Sequence, residues 1–236
     1  MKILALETSA VTASVAVTQE DKLLAQSFQN SGLTHSATLM PMVANLLENT
    51  GLKLEEMDVI AAAVGPGSFT GVRIGVAAAK GLAWPGDKLC APCSTLESMA
   101  WQCAHLDGEI CAVMDARRSQ VYNARFLARD GMLTRLTPDR AVGLEELAGE
   151  VNKSGRTQIL VGDGAALCYN AFKAQGIPAK KMPPHLIYQT AWGVARTALR
   201  LARDGALVPA GQLTPQYHRL SQAERERLER LGQNQS

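Results

Sequence analysis

The stretch Gly65-Pro66-Gly67-Ser68-Phe69-Thr70-Gly71-Val72-Arg73-Ile74-Gly75 follows an apolar run, Val59 to Val64, and opens a helix. A glycine-rich turn between strand and helix is where backbone amides and the helix dipole hold anions. The spacing here is that of neither standard loop: GxxxxGK[ST] is absent, GxGxxG fails at Thr70, and Pro66 removes an amide that a phosphate would use. Ser68 reads as the helix N-cap. Gly71, Gly75 and Ala79 recur every four residues and lay a track along one helix face on which another backbone can come close. A tight turn feeding a close-packed helix is the favoured reading, with phosphate binding as its alternative.

Two carboxylates end apolar strands: Glu7 after Ile3 to Leu6, and Asp115 after Cys111 to Met114. Thr8 and Ser9 either hydrogen-bond a turn or approach a phosphate, a role disfavoured by the lack of a following glycine. Asp115 and Arg117 either bind across a cleft or make an internal ion pair or cap. Cys90-Ala91-Pro92-Cys93 matches C-x-x-C, with Ser94 as a cap just after it and Cys103 and His105 as further zinc ligands. No second C-x-x-C supports a metal, and all five cysteines read as free packing thiols. His35, His105, His185 and His218 are scattered without ligand spacing. Neither H-E-x-x-H nor a Ser/His/Asp set is present to support a protease.

These residues need a scaffold, and 236 residues with 47% hydrophobic content suffice for a sizeable core. A net charge of +2 lacks the electrostatic footprint of a chain that grips nucleic acid alone, so any RNA role needs a partner. The first apolar run stops at Glu7, too short for a signal or a membrane span, which makes the expected location cytoplasmic. Strands are expected at Ile3–Leu6, Ala13–Thr18, Leu23–Phe28, Val59–Val64 and Leu89–Ala91. Helices are expected at Thr34–Glu48, bent by Pro41, then from Ser68, and at Ser94–Ala104. Cys111–Asp115 and Val121–Leu127 repeat the first strand and hairpin, and Gln158–Val161 and Ala165–Lys173 add a strand and a helix. Lys180-Lys181 reads as a surface loop, and the alternating charges from Ser221 to Arg230 as a solvated tail.

The result is an α/β architecture, a duplicated strand-and-hairpin unit with a carboxylate closing each first strand. It resembles the actin-like, sugar-kinase and Hsp70-type ATPase (ASKHA) fold, two subdomains of mixed sheet with helices. The expected organisation is a first subdomain over 1–107, completed by a helix near 188–204, a second over 108–187, and a C-terminal segment over 205–236. Within that fold the chain is similar to the TsaB (YeaZ-like) family. The similarity rests on Ile3 to Ser9, Gly65 to Gly75, Ser94-Thr95-Leu96, Asp115-Ala116-Arg117 with Val121-Tyr122, and Pro215-Gln216-Tyr217-His218-Arg219.

The resemblance implies a noncatalytic partner in forming threonylcarbamoyladenosine at position 37 of tRNAs that read codons beginning with A. The implied partners are a TsaD-like catalytic subunit and a TsaE-like ATPase, with a homodimer when the chain is alone and tRNA reached only through the complex. Thr95 and Met99 stand where TsaD-like proteins carry the two histidines of a metal-binding H-x-x-x-H, so no metal and no catalytic residue are expected here. Glu7, Thr8, Ser9, Asp115 and Arg117 would form a degenerate nucleotide site. No cofactor is expected, ATP or ADP at the partner interface being the reading left open. An autonomous nucleotide-binding enzyme is the alternative. The first helix carries two apolar stripes, one for the sheet and one to spare. The expected partner face is Leu39, Met42, Val43 and Leu46 with Phe69, Gly71, Val72, Gly75, Val76 and Ala79, against the alternative that both helices are buried in their own subdomain.

Overall fold

The computed structural model describes residues 1–218; the charged tail and Arg219 lie outside them. The first sheet is built from β1 (Lys2–Glu7), β2 (Ala13–Gln19), β3 (Lys22–Gln29), β4 (Val59–Gly65) and β5 (Leu89–Ser94). Around it lie α1 (His35–Thr50) and α2 (Phe69–Ala83), followed by α3 (Thr95–Trp101). The second sheet uses β6 (Gly108–Asp115), β7 (Gln120–Arg129), β8 (Met132–Arg135), β9 (Arg140–Gly143), β10 (Gln158–Val161) and β11 (Ala179–Lys181), with helices α4 (Leu144–Ser154) and α5 (Ala165–Ala174). The chain then returns through α6 (Ala191–Arg203) to β12 (Val208–Pro209) at the edge of the first sheet.

The two sheets share one topology. The first runs β12-β5-β4-β1-β2-β3 and the second β11-β10-β6-β7-β8, so β5-β4-β1-β2-β3 corresponds strand for strand to β11-β10-β6-β7-β8. In each, a parallel trio adjoins an antiparallel hairpin. Strands covered on both faces read as near-continuous apolar runs. In β1, Leu4 and Leu6 face α1 and α2, while Ile3 and Ala5 face α6. The same alternation sends Ile110, Ala112 and Met114 of β6 toward α3, and Cys111 and Val113 toward α4 and α5.

Alternation also settles the cysteine pair. Cys90 and Cys93 lie three residues apart on β5, so they point to opposite faces, one into each core layer of the first sheet. β5 runs through Ser94, beyond the expected Ala91, which places Cys93 inside a strand and denies it a helix-start amide. Burial pushes the Cys90 thiol up to about 11 and the Cys93 thiol well above its ordinary value. All five cysteines are free and buried.

The helices begin and end for local reasons. Ser68 accepts from the Gly71 amide at 3.3 Å and Ser94 from the Glu97 amide at 3.1 Å, each capping its helix. Gly51, at φ 66°, closes α1 two residues beyond the expected Glu48. Pro41 lies inside α1 at an exposed position, on the side away from the sheet. Lys180 and Lys181 belong to the edge strand β11; the run is too short and too polar to be read as a strand from sequence. α4 and the short strand β9 were likewise missing from the expected elements, whereas β8 is the second arm of the expected hairpin. No helix among the described residues is long and apolar enough to cross a membrane.

The subdomains are joined through α3 and α6. Glu97 of α3, nearly buried, accepts from Nε of Arg200 on α6 at 2.6 Å and from Nη2 of Arg135 on β8 at 3.0 Å. One carboxylate between two guanidiniums thus ties both halves together. The cysteine assignment predicts that a thiol reagent reacts slowly with the native chain and finds all five thiols once it is unfolded without reductant. A count of three in the unreduced, unfolded chain would instead reveal a disulfide.

Candidate functional site

Where the two hairpins meet, they leave a cleft of about 590 Å³ lined by Ser9, Ala10 and Val11, by Gly67 to Thr70, and by Met114 to Arg117 with Tyr122 and Asp163. It lies at the carboxyl ends of the parallel strands, the end where open α/β sheets bind ligands. Of the five residues expected to form a nucleotide site, Ser9, Asp115 and Arg117 reach it. Glu7 and Thr8 do not, being buried beneath the loop.

Glu7 is a structural carboxyl. Its Oε1 accepts from the Ser9 amide at 2.6 Å, and its Oε2 has no partner. Burial, the dominant cause, pushes its pKa up to about 7 against the lowering effect of the Ser9 amide bond. Thr8 donates from Oγ1 to the Gly71 carbonyl at 2.8 Å, and the Ser68 amide donates to the Ser9 carbonyl at 2.7 Å. The Thr8–Ser9 backbone therefore lies directly on the start of α2. A Cβ at Gly67 would come within 2.3 Å of the Ser9 carbonyl oxygen, and one at Gly71 within 2.1 Å of that of Thr8. The glycine track admits the chain's own first hairpin.

That contact corrects the expected partner face. Gly71 and Gly75 abut Thr8, and Val72, Val76 and Ala79 pack into the first core. Leu39, Met42, Val43 and Leu46, at 1%, 8%, 2% and 4% exposure, are the sheet-facing stripe of α1. The spare stripe is the other one, containing Ala37, Met40 and Ala44. Phe69 is half-buried because Tyr217 stacks on it, ring centroids 4.5 Å apart, while Arg73 donates from Nε to the Tyr217 hydroxyl at 2.7 Å. The Gln216 amide donates to the Val64 carbonyl at 2.7 Å, so residues 216–217 strap the glycine loop from outside.

On the opposite wall, Asp115 accepts at Oδ1 from the Arg117 amide at 2.7 Å, and its own amide donates to Asp163 Oδ1 at 3.2 Å. Asp115 thus caps a hairpin turn, and no ion pair to the Arg117 guanidinium forms. Arg117, Arg118 and Ser119 all have positive φ, 63°, 54° and 57°, a run that non-glycine residues rarely adopt. Burial pushes the Asp163 carboxyl up, and the charge of Asp115 adds to the effect. Asp163 was absent from the expected site; its place in the turn Gly162-Asp163-Gly164 at the end of β10, matching Gly65-Pro66-Gly67 at the end of β4, was the signal for it. Ser9 Oγ, buried at the cleft wall, has no hydrogen-bond partner. Thr95 and Met99 lie wholly buried on α3, away from the cleft lining. No cluster of His, Cys, Asp and Glu with the geometry of a metal site occurs among the described residues.

Two sheets of one topology meeting at a cleft between their hairpins define a duplicated α/β protein of the actin-like ATPase fold. The ethanolamine utilization protein EutJ from Carboxydothermus hydrogenoformans shares that fold at a TM-score of 0.51 and 14% identity, over 84% of this chain and 90% of its own. YeaZ from Pseudomonas aeruginosa superposes with a TM-score of 0.78 at 26% identity, covering 92% of this chain and 99% of that one. The family model of TsaD, tRNA N6-adenosine threonylcarbamoyltransferase, matches residues 22–186. A Bacillus subtilis (strain 168) protein, tRNA threonylcarbamoyladenosine biosynthesis protein TsaB, is 36% identical over 167 residues, 71% of this chain and 73% of its own length. The Haemophilus influenzae protein of that name is 39% identical over 130 residues, about half of each chain at 52%. The chain belongs to the TsaB family.

Two outcomes test this site. Gly71→Ala should cost about 3 kcal/mol by forcing Thr8 away, whereas Gly81→Ala, on the same helix with open space around it, should gain about 0.5–1 kcal/mol; equal effects in urea unfolding would contradict the packing role. For Glu7, the native state binds the proton more tightly than the unfolded chain, so its contribution to stability is fullest below pH 4.5 and lost as pH rises through about 7. Glu7→Gln should flatten that decline by about 3 kcal/mol between pH 5 and 8; an unchanged slope would show that Glu7 does not titrate there.

Proposed function

We infer that the chain acts in tRNA threonylcarbamoyladenosine biosynthesis as a noncatalytic partner of a TsaD-like transferase. Its relatives carry the name of that pathway. The observation that carries the partner reading is the outward face of two neighbouring helices. α1 and α2 contact each other and spend their inner stripes on the first core. Their outer surface still presents Ala37, Met40, Pro41 and Ala44 from α1 and Ala77 and Trp84 at α2, with Met40 at 45% and Trp84 at 75% exposure. Scattered single apolar residues need no explanation, but apolar side chains grouped on adjacent helices mark a docking surface.

On this reading a TsaD-like subunit covers the face in the working complex and a second copy covers it when the chain is alone. A TsaE-like ATPase joins the assembled complex, and tRNA is reached only through it. With a net charge of +2 the chain has little electrostatic grip of its own on a polyanion. The chain works in the cytoplasm, where its substrate RNA is.

Mixing the purified chain with its TsaD-like counterpart and measuring mass and affinity tests the proposal. Met40→Asp and Trp84→Asp should each weaken association by about tenfold or more, because docking buries an unpaired carboxylate, while the isolated variants keep the wild-type melting temperature. Leu39→Asp, one residue away on the sheet side, should instead unfold the isolated chain. Normal binding by both exposed-face variants would move the partner to another surface. Steady ATP turnover by the isolated chain would favour the autonomous enzyme.

A further inference from the structure

We propose that the second subdomain carries a separate binding site for a small amphipathic anion, at the end of its sheet remote from the cleft. β6 runs from this site at Gly108 to the cleft at Asp115, a span of about 23 Å. The two sites are therefore independent, and this one does not rest on the partner reading.

The groove encloses about 820 Å³, within the range of small-molecule sites. Its apolar part is formed by Leu106, Ile159, Met182 and Leu186, contributed by the α3–β6 connection, β10, and the segment after β11. Four aliphatic or thioether side chains offer an apolar body a surface without competing donors. Arg156 and Lys180 also line it, and neither has a carboxylate within ion-pair distance among the described residues. Arg156 lies between α4 and β10, and Lys180 on the neighbouring edge strand, paired in register with Ile159.

Of the two carboxylates that line the groove, one is neutralised by a cation and the other is exposed at its edge with its charge intact. Glu109 is buried and paired to Arg125, and Asp107 accepts from the Asp130 amide at 3.1 Å. Lys181 turns its ammonium over the Tyr169 ring, 4.9 Å from the centroid, and His105 is exposed at the rim. With Arg156, Lys180 and Lys181 set against Asp107, the groove joins an apolar floor to a net excess of positive charge. The matching ligand has a compact apolar or aromatic body and one carboxylate, sulfonate or phosphate. An uncharged apolar ligand would leave the cations unanswered, and a bare inorganic anion would leave the floor wet.

A matched pair of fluorescent probes tests this on the full chain: 8-anilinonaphthalene-1-sulfonate, and N-phenyl-1-naphthylamine, which has the same ring system without the sulfonate. The sulfonate probe should bind saturably at one site, at least about tenfold more tightly than the neutral one. The double variant Arg156→Glu/Lys180→Glu should remove that preference while melting as the wild type does. Arg117→Glu in the cleft and Met40→Asp on the helix face should leave the titration unchanged. Equal binding of the two probes, or a sulfonate titration indifferent to the double variant, would overturn the proposal. Loss of the titration in the Arg117 or Met40 variant would assign the probe to those surfaces and overturn it equally.

Discussion

The structure hangs on the contact between the backbone of Thr8–Ser9 and the glycine track that starts α2. It is made by the Ser68 amide donating to the Ser9 carbonyl and the Thr8 hydroxyl donating to the Gly71 carbonyl. From below, the buried Glu7 holds the Ser9 amide, and from outside residues 216–217 press on the same loop. A loop clamped on three sides has little freedom to close on a ligand. The same clamp fixes where α2 emerges, and through α2 the orientation of α1 and of the apolar face that the two helices share. A motif that looks built for phosphate is thereby accounted for by internal packing.

The second half of the molecule repeats the device with other residues. After β10, Gly162 and Gly164 approach the end of β6, where a Cβ at Gly162 would stand 2.0 Å from the Val113 carbonyl oxygen. Glycines after the strand beside each hairpin therefore let both halves bring their loops together at one cleft. The walls then diverge in chemistry. The first is a hydroxyl over a buried acid; the second carries Asp115, Asp163 and the guanidinium of Arg117 on a turn of positive φ. Glu97, paired with arginines of both halves, sets the two walls in a fixed relation.

Much of this was legible in the sequence because the strands are buried on both faces. Continuous apolar runs such as Val59 to Val64 and Cys111 to Met114 have one economical interpretation, and the repeat of strand, carboxylate and hairpin exposed the duplication. What the sequence hid were questions of facing. Two apolar stripes on α1 are equivalent on paper, and only the assembled sheet shows that Leu39, Met42, Val43 and Leu46 turn inward. The C-x-x-C spacing left a redox or metal pair as an alternative to packing thiols, and β5, which includes both cysteines, sends them to opposite layers. Glu7 entered the expected nucleotide site through the family resemblance, as the carboxylate that closes the first strand; the loop that follows folds back over it and buries it. Short polar strands such as β9 and β11 carry too little pattern to be read locally, since their pairing partners supply the order.

On the proposed reading a partner docks on the outward faces of α1 and α2, while their inner faces pack the chain's own core. Hydroxyl-radical footprinting of the chain alone and mixed with its TsaD-like counterpart tests this side chain by side chain, since methionine and tryptophan report directly. Met132, 59% exposed on the second subdomain, provides the internal reference. The account predicts that oxidation of Met40 and Trp84 falls several-fold in the mixture while that of Met132 holds steady. Unchanged reactivity at Met40 and Trp84 in a demonstrated complex would contradict it.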